Sequence, residues 1–421
     1  MTHRLTRPWA VTTILLPVVL SGFLAACGGG GDAAPAVIVP PVGTTTPATI
    51  NGKVVAPDGA TPIANALVYV ENSVGTATAA GAQKVAAPIT TSCGTVPDAS
   101  WAYTCSGNDG SFALKAQIPA NAKLTAIKGT FKIETPLAAP QDGVISQGNV
   151  AFVITNTGGS TAPKIAVVAG SYDSIEDILA KLGFGEIVGG KLKLGTEKFK
   201  LYGALGAGYE TSDKLFVDAD GDGKPDIFKY TIVFWNCGTD ESVPLTTANK
   251  EILRQYVQGG GKLYASDLAY DIVEQVFPAY IDFYGSDAVA ATAAENPGEA
   301  EVGTSGITVN ASVDPALQAW LRSVTCAGGP CVQVDGSVKI EGFLSGWAVI
   351  NSAHTGSTGV KTWASGAVDF ATSTGVVKPL TMSFPVGSGR VTYTSYHNEA
   401  QVGAELEPQQ RILQYLVFEL L

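Results

Sequence analysis

Two short segments of the 421-residue chain carry the side chains best suited to chemistry. Ala265-Ser266-Asp267-Leu268-Ala269 sets a hydroxyl and a carboxylate between small residues, and His397-Asn398-Glu399 supplies an imidazole and a second carboxylate. Two catalytic uses follow from these types. Ser266 can attack an acyl carbon with His397 as base and Glu399 orienting the imidazole, or Asp267 can attack an electrophile and form an ester. A binding use would gather Asp267, Tyr270, His397 and Glu399 around a ligand, with Tyr264, Tyr270 and Tyr396 lining an open groove. A structural use competes with both. Asp267 is a good helix N-cap, accepting from the backbone N–H of Ala269 or Tyr270, and a carboxylate facing an imidazolium settles into an ion pair.

A second constellation is Asp218-Ala219-Asp220-Gly221-Asp222-Gly223-Lys224-Pro225-Asp226. Its carboxylates at loop positions 1, 3, 5 and 9, with glycine at 6, follow the spacing by which a loop wraps Ca²⁺ in hard oxygens. The run resembles the calcium loops of dockerins and thrombospondin type repeats, and the resemblance implies Ca²⁺ on Asp218, Asp220, Asp222 and Asp226. It departs at position 12, where Lys229 stands in place of the bidentate acid. A calcium-dependent adhesion or carbohydrate-binding protein is one function this loop would suit.

Other candidates are thinner. His354 has no Cys, Asp or Glu near it in sequence, so it does not suggest zinc. Gly259-Gly260-Gly261-Lys262 lacks the spacing and following hydroxyl of a phosphate loop and reads as a helix stop. Cys93 with Cys105, and Cys326 with Cys331, read as disulfides stapling local loops, whereas Cys237, in Val233-Phe234-Trp235-Asn236, reads as a buried thiol.

The elements that must position these groups show in the periodicity. Ile165 to Gly170 and Tyr230 to Trp235 are continuous apolar runs, as buried parallel strands require, and a helical spacing follows the first from Ser174 to Gly183. Ile252, Leu253, Tyr256 and Val257 mark a helix face before the strand Lys262 to Ser266. Leu268, Ala269, Ile272, Val273, Val276 and Phe277 mark another after it. Arg390 to Ser395 is a late strand, and Pro408 opens a terminal amphipathic helix. Strand alternating with helix predicts a parallel sheet covered on both faces, interrupted by a β-rich insertion at about 284–380.

Upstream the texture differs. Residues 47–158 carry short β runs and turns, including Ile50-Asn51-Gly52-Lys53-Val54-Val55, Pro62-Ile63-Ala64-Asn65-Ala66-Leu67-Val68 and Asn108-Asp109-Gly110-Ser111-Phe112, and a Gly, Ser and Thr linker runs to Pro163. Residues 28–46 are Gly, Pro, Ala and Thr with almost no charge and read as a flexible tether. Residues 1–27 place Arg4 and Arg7 before an apolar stretch and Leu24-Ala25-Ala26-Cys27, the layout of a signal peptide. With 46% hydrophobic and 15% charged residues the chain has ample core, and its net charge of −11 repels a nucleic-acid backbone.

Three resemblances gather these observations. Residues 1–27 resemble a bacterial lipoprotein signal peptide with lipobox. That implies cleavage before an acylated Cys27, membrane partnership through its lipid and, with Gly28 following, the outer membrane. Residues 47–158 are similar to the carboxypeptidase regulatory-like, transthyretin-related β-sandwich, a spacer or binding module. Residues 164–421 resemble the class I glutamine amidotransferase-like fold, in which Gly-x-Cys-x-Gly forms a nucleophile elbow and a late strand delivers His-Pro-Glu. Here Asp267 holds the cysteine's place and Asn398 the proline's, so the resemblance excludes glutaminase chemistry. The expected fold is α/β, a flavodoxin-like parallel sheet with helices on both faces and the insertion, preceded by a small all-β sandwich. The expected role is a lipoprotein binding an envelope protein or glycan, and the alternative is a hydrolase on Ser266 or Asp267.

Overall fold

A computed structural model describes residues 45–75, 87–203, 208–285, 296–344, 346–398 and 405–420. Cys27, the stretch read as its leader, most of the stretch read as a tether, and Glu399 lie outside the described residues.

Residues 46–151 build two four-stranded sheets. In one, Val144–Ala151, Thr46–Val55, Ser111–Ile118 and Val74–Gly75 lie side by side; in the other, Tyr103–Cys105, Leu67–Val70, Lys123–Lys128 and Phe131–Pro136. Alternation drives the packing: Phe112, Leu114, Ala116 and Ile118 point inward while their neighbours face solvent. The Asn108-Asp109-Gly110 turn needs its glycine, which sits at φ +76° with the Val54 carbonyl oxygen 2.4 Å from where a Cβ would stand. Cys93–Cys105 and Cys326–Cys331 form disulfides, with Cα separations of 5.9 and 5.0 Å.

From Ile165 onward the chain is mixed α/β around one nine-stranded sheet. Five strands are parallel neighbours, in spatial order Lys200–Tyr202, Ile165–Val168, Ile232–Trp235, Lys262–Ser266 and Gly389–Thr394. In chain order that is second, first, third, fourth, fifth. The sheet then continues through Ser373–Val386, Lys361–Phe370, Val309–Val313 and Val338–Ile340, every further pairing antiparallel. The expected wholly parallel sheet is therefore a mixed one. The reason is the β-rich insertion: Lys361–Phe370 returns through a two-residue turn, with Ala371 at φ +48°, and so short a connection can only join antiparallel strands.

Both faces of the parallel half are covered. Ile165, Val167, Leu201, Ile232, Phe234 and Tyr264 share a core with the helical stretch 175–184 and the helix Pro408–Leu420. Ala166, Val168, Val233, Trp235, Leu263 and Ala265 share another with the helices Thr247–Gln258 and Tyr270–Val276. The first core continues into the upstream sheets, where the Phe131 ring lies 5.1 Å from Phe418 and 6.1 Å from Phe184. At roughly 1.5–3 kcal/mol for each fully buried large apolar side chain, this junction contributes to the stability of both parts.

Candidate functional site

The parallel strands all end at one edge, where polar residues concentrate. Ser266 closes Lys262–Ser266 in extended conformation, φ −125° and ψ 142°, and the chain reverses sharply at Asp267, φ +46°, before the helix Tyr270–Val276. A left-handed conformation costs a non-glycine residue about 1–2 kcal/mol, so the surrounding contacts must hold it. They do so from two sides. His397 Nε2 meets Asp267 Oδ2 at 2.6 Å, and the nearby Ala348 backbone favours the charged carboxylate. The phenol of Tyr393 donates to the Asp267 carbonyl at 2.8 Å. The expected helix cap is not made, for the Asp267 carboxylate takes no backbone N–H of the following helix and the Tyr270 N–H goes to the Asp267 carbonyl. The carboxylate turns inward to the imidazole instead.

His397 reaches this position from Gly389–Thr394, the next strand in the sheet. Its N–H donates to Gly342 O at 2.7 Å, and a Cβ on Gly342 would stand 2.2 Å from the His397 carbonyl oxygen, so only glycine fits there. Asp267 is 0% and His397 1% exposed. Burial pushes the Asp267 carboxyl up to about 6, against the opposing pull of the imidazole.

Ser266 sits in the same buried edge. Its Oγ accepts from the Cys237 N–H at 3.1 Å, and its hydroxyl donates to Asp173. Asp173 Oδ1 accepts from the backbone N–H groups of Ser174 and Asn398, each at 2.9 Å, and burial raises this carboxyl too. Asn236 donates to Glu176 at 2.9 Å, and desolvation lifts Glu176 to about 8. Cys237, a buried free thiol, has its sulfur within 4.8 Å of the Asp267 and His397 ligand atoms, and burial with the Asp267 charge pushes the thiol up. Tyr264, Tyr270 and Tyr396 are buried and do not line an open groove. Their hydroxyls engage Thr394, the Ala300 N–H and Thr381 respectively.

Asp173 and Asn236 do not stand out in the sequence as members of this site, and Asn398 is seen there only as the residue between His397 and Glu399. A signal was present: each lies a few residues beyond a buried parallel strand, at the carboxyl edge where α/β sheets present their functional groups.

The acidic loop is a separate, exposed place. Asp218 accepts the N–H groups of Gly221, Asp222 and Gly223 at 2.8–3.0 Å. Donor oxygens of Asp218, Asp220 and Asp222 lie within 4.8 Å of one another. The Lys229 ammonium stands 2.7 Å from Asp220 and 2.6 Å from Asp226, and these carboxylates hold its proton more tightly than usual. The donors thus suit calcium only in part, since a lysine already supplies a cation from position 12. His354 belongs to neither of the two groups of potential metal ligands among the described residues.

No protein-family model matches the chain, and no curated protein matches it. Among solved structures it is similar to a ThuA-like protein from Parabacteroides merdae, at 11% identity and TM-score 0.33, covering 60% of this chain and 86% of that one. It is also similar to PurLQS from Thermotoga maritima, at 10% identity and TM-score 0.31, covering 61% and 97%. Gan42B, a GH42 beta-galactosidase from G. stearothermophilus, is similar at 11% identity and TM-score 0.29, and the match covers 62% of this chain and 30% of Gan42B. Likenesses this distant carry no argument about activity.

Proposed function

We propose that residues 164–421 are a flavodoxin-like domain of the class I glutamine amidotransferase-like kind whose catalytic position has become a structural ion pair. The second-first-third-fourth-fifth order of the parallel strands supports the fold, because it is the flavodoxin order. The protein then acts as a non-catalytic binding module, held at the outer membrane by lipid on Cys27, with an envelope protein or glycan as partner. The contact that carries the non-catalytic reading is Asp267 Oδ2 to His397 Nε2 at 2.6 Å, at 0% and 1% exposure. A nucleophile must face its substrate and a base must hold a free lone pair. Here the two groups face each other, away from solvent. The test is turnover of ester, amide and glycoside substrates by the full chain beside His397→Ala. Equal background rates are expected, and turnover that His397→Ala abolishes would overturn the reading.

One observation favours a second reading, a hydrolase with Asp267 as nucleophile. The φ of +46° at Asp267 keeps the strained strand-to-helix turn of a nucleophile elbow. That enzyme would pass through an aspartyl ester, so hydrolysis in ¹⁸O-water would place heavy oxygen in the Asp267 carboxylate. A carboxylate that stays light during turnover excludes it.

A further inference from the structure

We propose that Cys237, Asp267 and His397 form a binding site for a divalent transition metal of the zinc class. The three residues come from three neighbouring strands. Cys237 follows Ile232–Trp235, Asp267 follows Lys262–Ser266, and His397 follows Gly389–Thr394. A thiol sulfur, a carboxylate oxygen and an imidazole nitrogen from far-apart stretches of chain lie within 4.8 Å of one another, none more than 1% exposed.

The donor chemistry selects the ion. Sulfur, nitrogen and a single carboxylate suit zinc or its congeners, whereas calcium and magnesium take oxygen alone. Bond lengths of about 2.0–2.3 Å set tetrahedral ligand spacings of about 3.3–3.7 Å, which lie between the 2.6 Å histidine–aspartate contact and the 4.8 Å limit of the group. The histidine and aspartate therefore need to part by about 1 Å or less. Thiolate and carboxylate together neutralise a divalent ion, which matters where solvent cannot. Binding releases the thiol proton and the proton held between His397 and Asp267 to water, and forms one bond from each residue to the metal.

The surroundings hold the ligands as an outer shell does. The Ala348 backbone favours the charged Asp267 carboxylate, Tyr393 donates to the Asp267 carbonyl, and the backbone N–H of His397 donates to Gly342. The Tyr172 ring, half exposed, lies 6.3 Å from the His397 ring. The inference goes beyond the non-catalytic reading and does not depend on it, because it concerns metal binding whether or not the chain turns over a substrate.

Cobalt(II) is the probe. Titrated into the full chain in detergent, it is expected to bind at one ion per chain. It should give a near-ultraviolet thiolate-to-cobalt charge-transfer band, which zinc then removes. The other cysteines of residues 45–420 are paired in disulfides, so the band can arise only from Cys237 or Cys27. Cys27→Ser and Asp218→Asn should keep the band; Cys237→Ser and Asp267→Asn should lose it. Absence of the band in the parent chain overturns the proposal, as does its survival in Cys237→Ser. If Cys237→Ser does not fold, Cys27→Ser decides alone: a band retained there assigns the thiolate to Cys237, and a band lost overturns the site. Substrate turnover measured in parallel bears only on the non-catalytic reading, so the two can fail separately.

Discussion

The strand-edge site and the acidic loop each set a carboxylate against a single basic side chain at almost the same distance, yet the carboxyls respond in opposite directions. Asp267 stands 2.6 Å from His397 and is pushed up to about 6; Asp220 stands 2.7 Å from Lys229 and is pulled below its ordinary value. The distances are nearly the same and the exposure differs. At the strand edge the loss of hydration outweighs the partner's charge. In the loop water remains, so the lysine hydrogen bond prevails. Proximity alone therefore does not say what an ion pair does, and each way of removing a partner tests that statement.

The largest effect is expected from His397→Ala, which leaves the Asp267 carboxylate buried opposite nothing and should cost about 3–5 kcal/mol in denaturant unfolding. Gly342→Ala acts on the same contact from behind. Its Cβ would press on the His397 carbonyl oxygen at 2.2 Å, so overpacking should cost about 1–3 kcal/mol without altering any charge. If His397→Ala proves no worse than a surface change, burial is not what separates the two regions.

Proton linkage is next in size. Because folding raises the Asp267 value from 3.8 to about 6, the unfolded chain gives up its proton first as pH rises. The contribution is full below pH 4 and is lost as pH passes through about 6, roughly 3 kcal/mol in all. Glu176, raised from 4.5 to about 8, extends the same downward slope to higher pH. Unfolding free energies measured from pH 4 to 8 should flatten at the lower end in Asp267→Asn and at the upper end in Glu176→Gln. An unchanged slope in both variants would mean that neither acid is buried as described.

The smallest effect belongs to the loop. Lys229→Gln should shift the denaturation midpoint only slightly, and about 1 M salt should abolish the difference. Lys229→Glu supplies an acid at position 12 while removing the internal cation. Calcium should therefore raise the melting temperature more in that variant than in the parent chain. Equal shifts would take Lys229 out of the loop's charge balance.

Much of this was legible in the residues. The apolar runs at Ile165, Tyr230 and Lys262 mark strands because a sheet buried on both faces admits little else. The small residues around Asp267, with a histidine after the last strand, pointed to a strand-edge site. The antiparallel half was not legible, because Gly, Ser, Thr and Val in short runs leave pairing partners unspecified and the 373–386 strand gains its register only from its neighbours. Nor was the outcome for Ser266. The sequence leaves Ser266 open between a nucleophile and a residue that only ends a strand, and the deciding group is Asp173, almost a hundred positions earlier, which takes its hydroxyl.

The contact between Phe131 and Phe418 also orders events in time. The upstream sheets are made first, yet part of their apolar surface waits for a helix about 290 residues later, a separation that makes closure slow. Until that helix arrives, the nascent chain carries an uncovered aromatic face. A chain truncated before Pro408 is therefore expected to leave that face open to proteases and self-association.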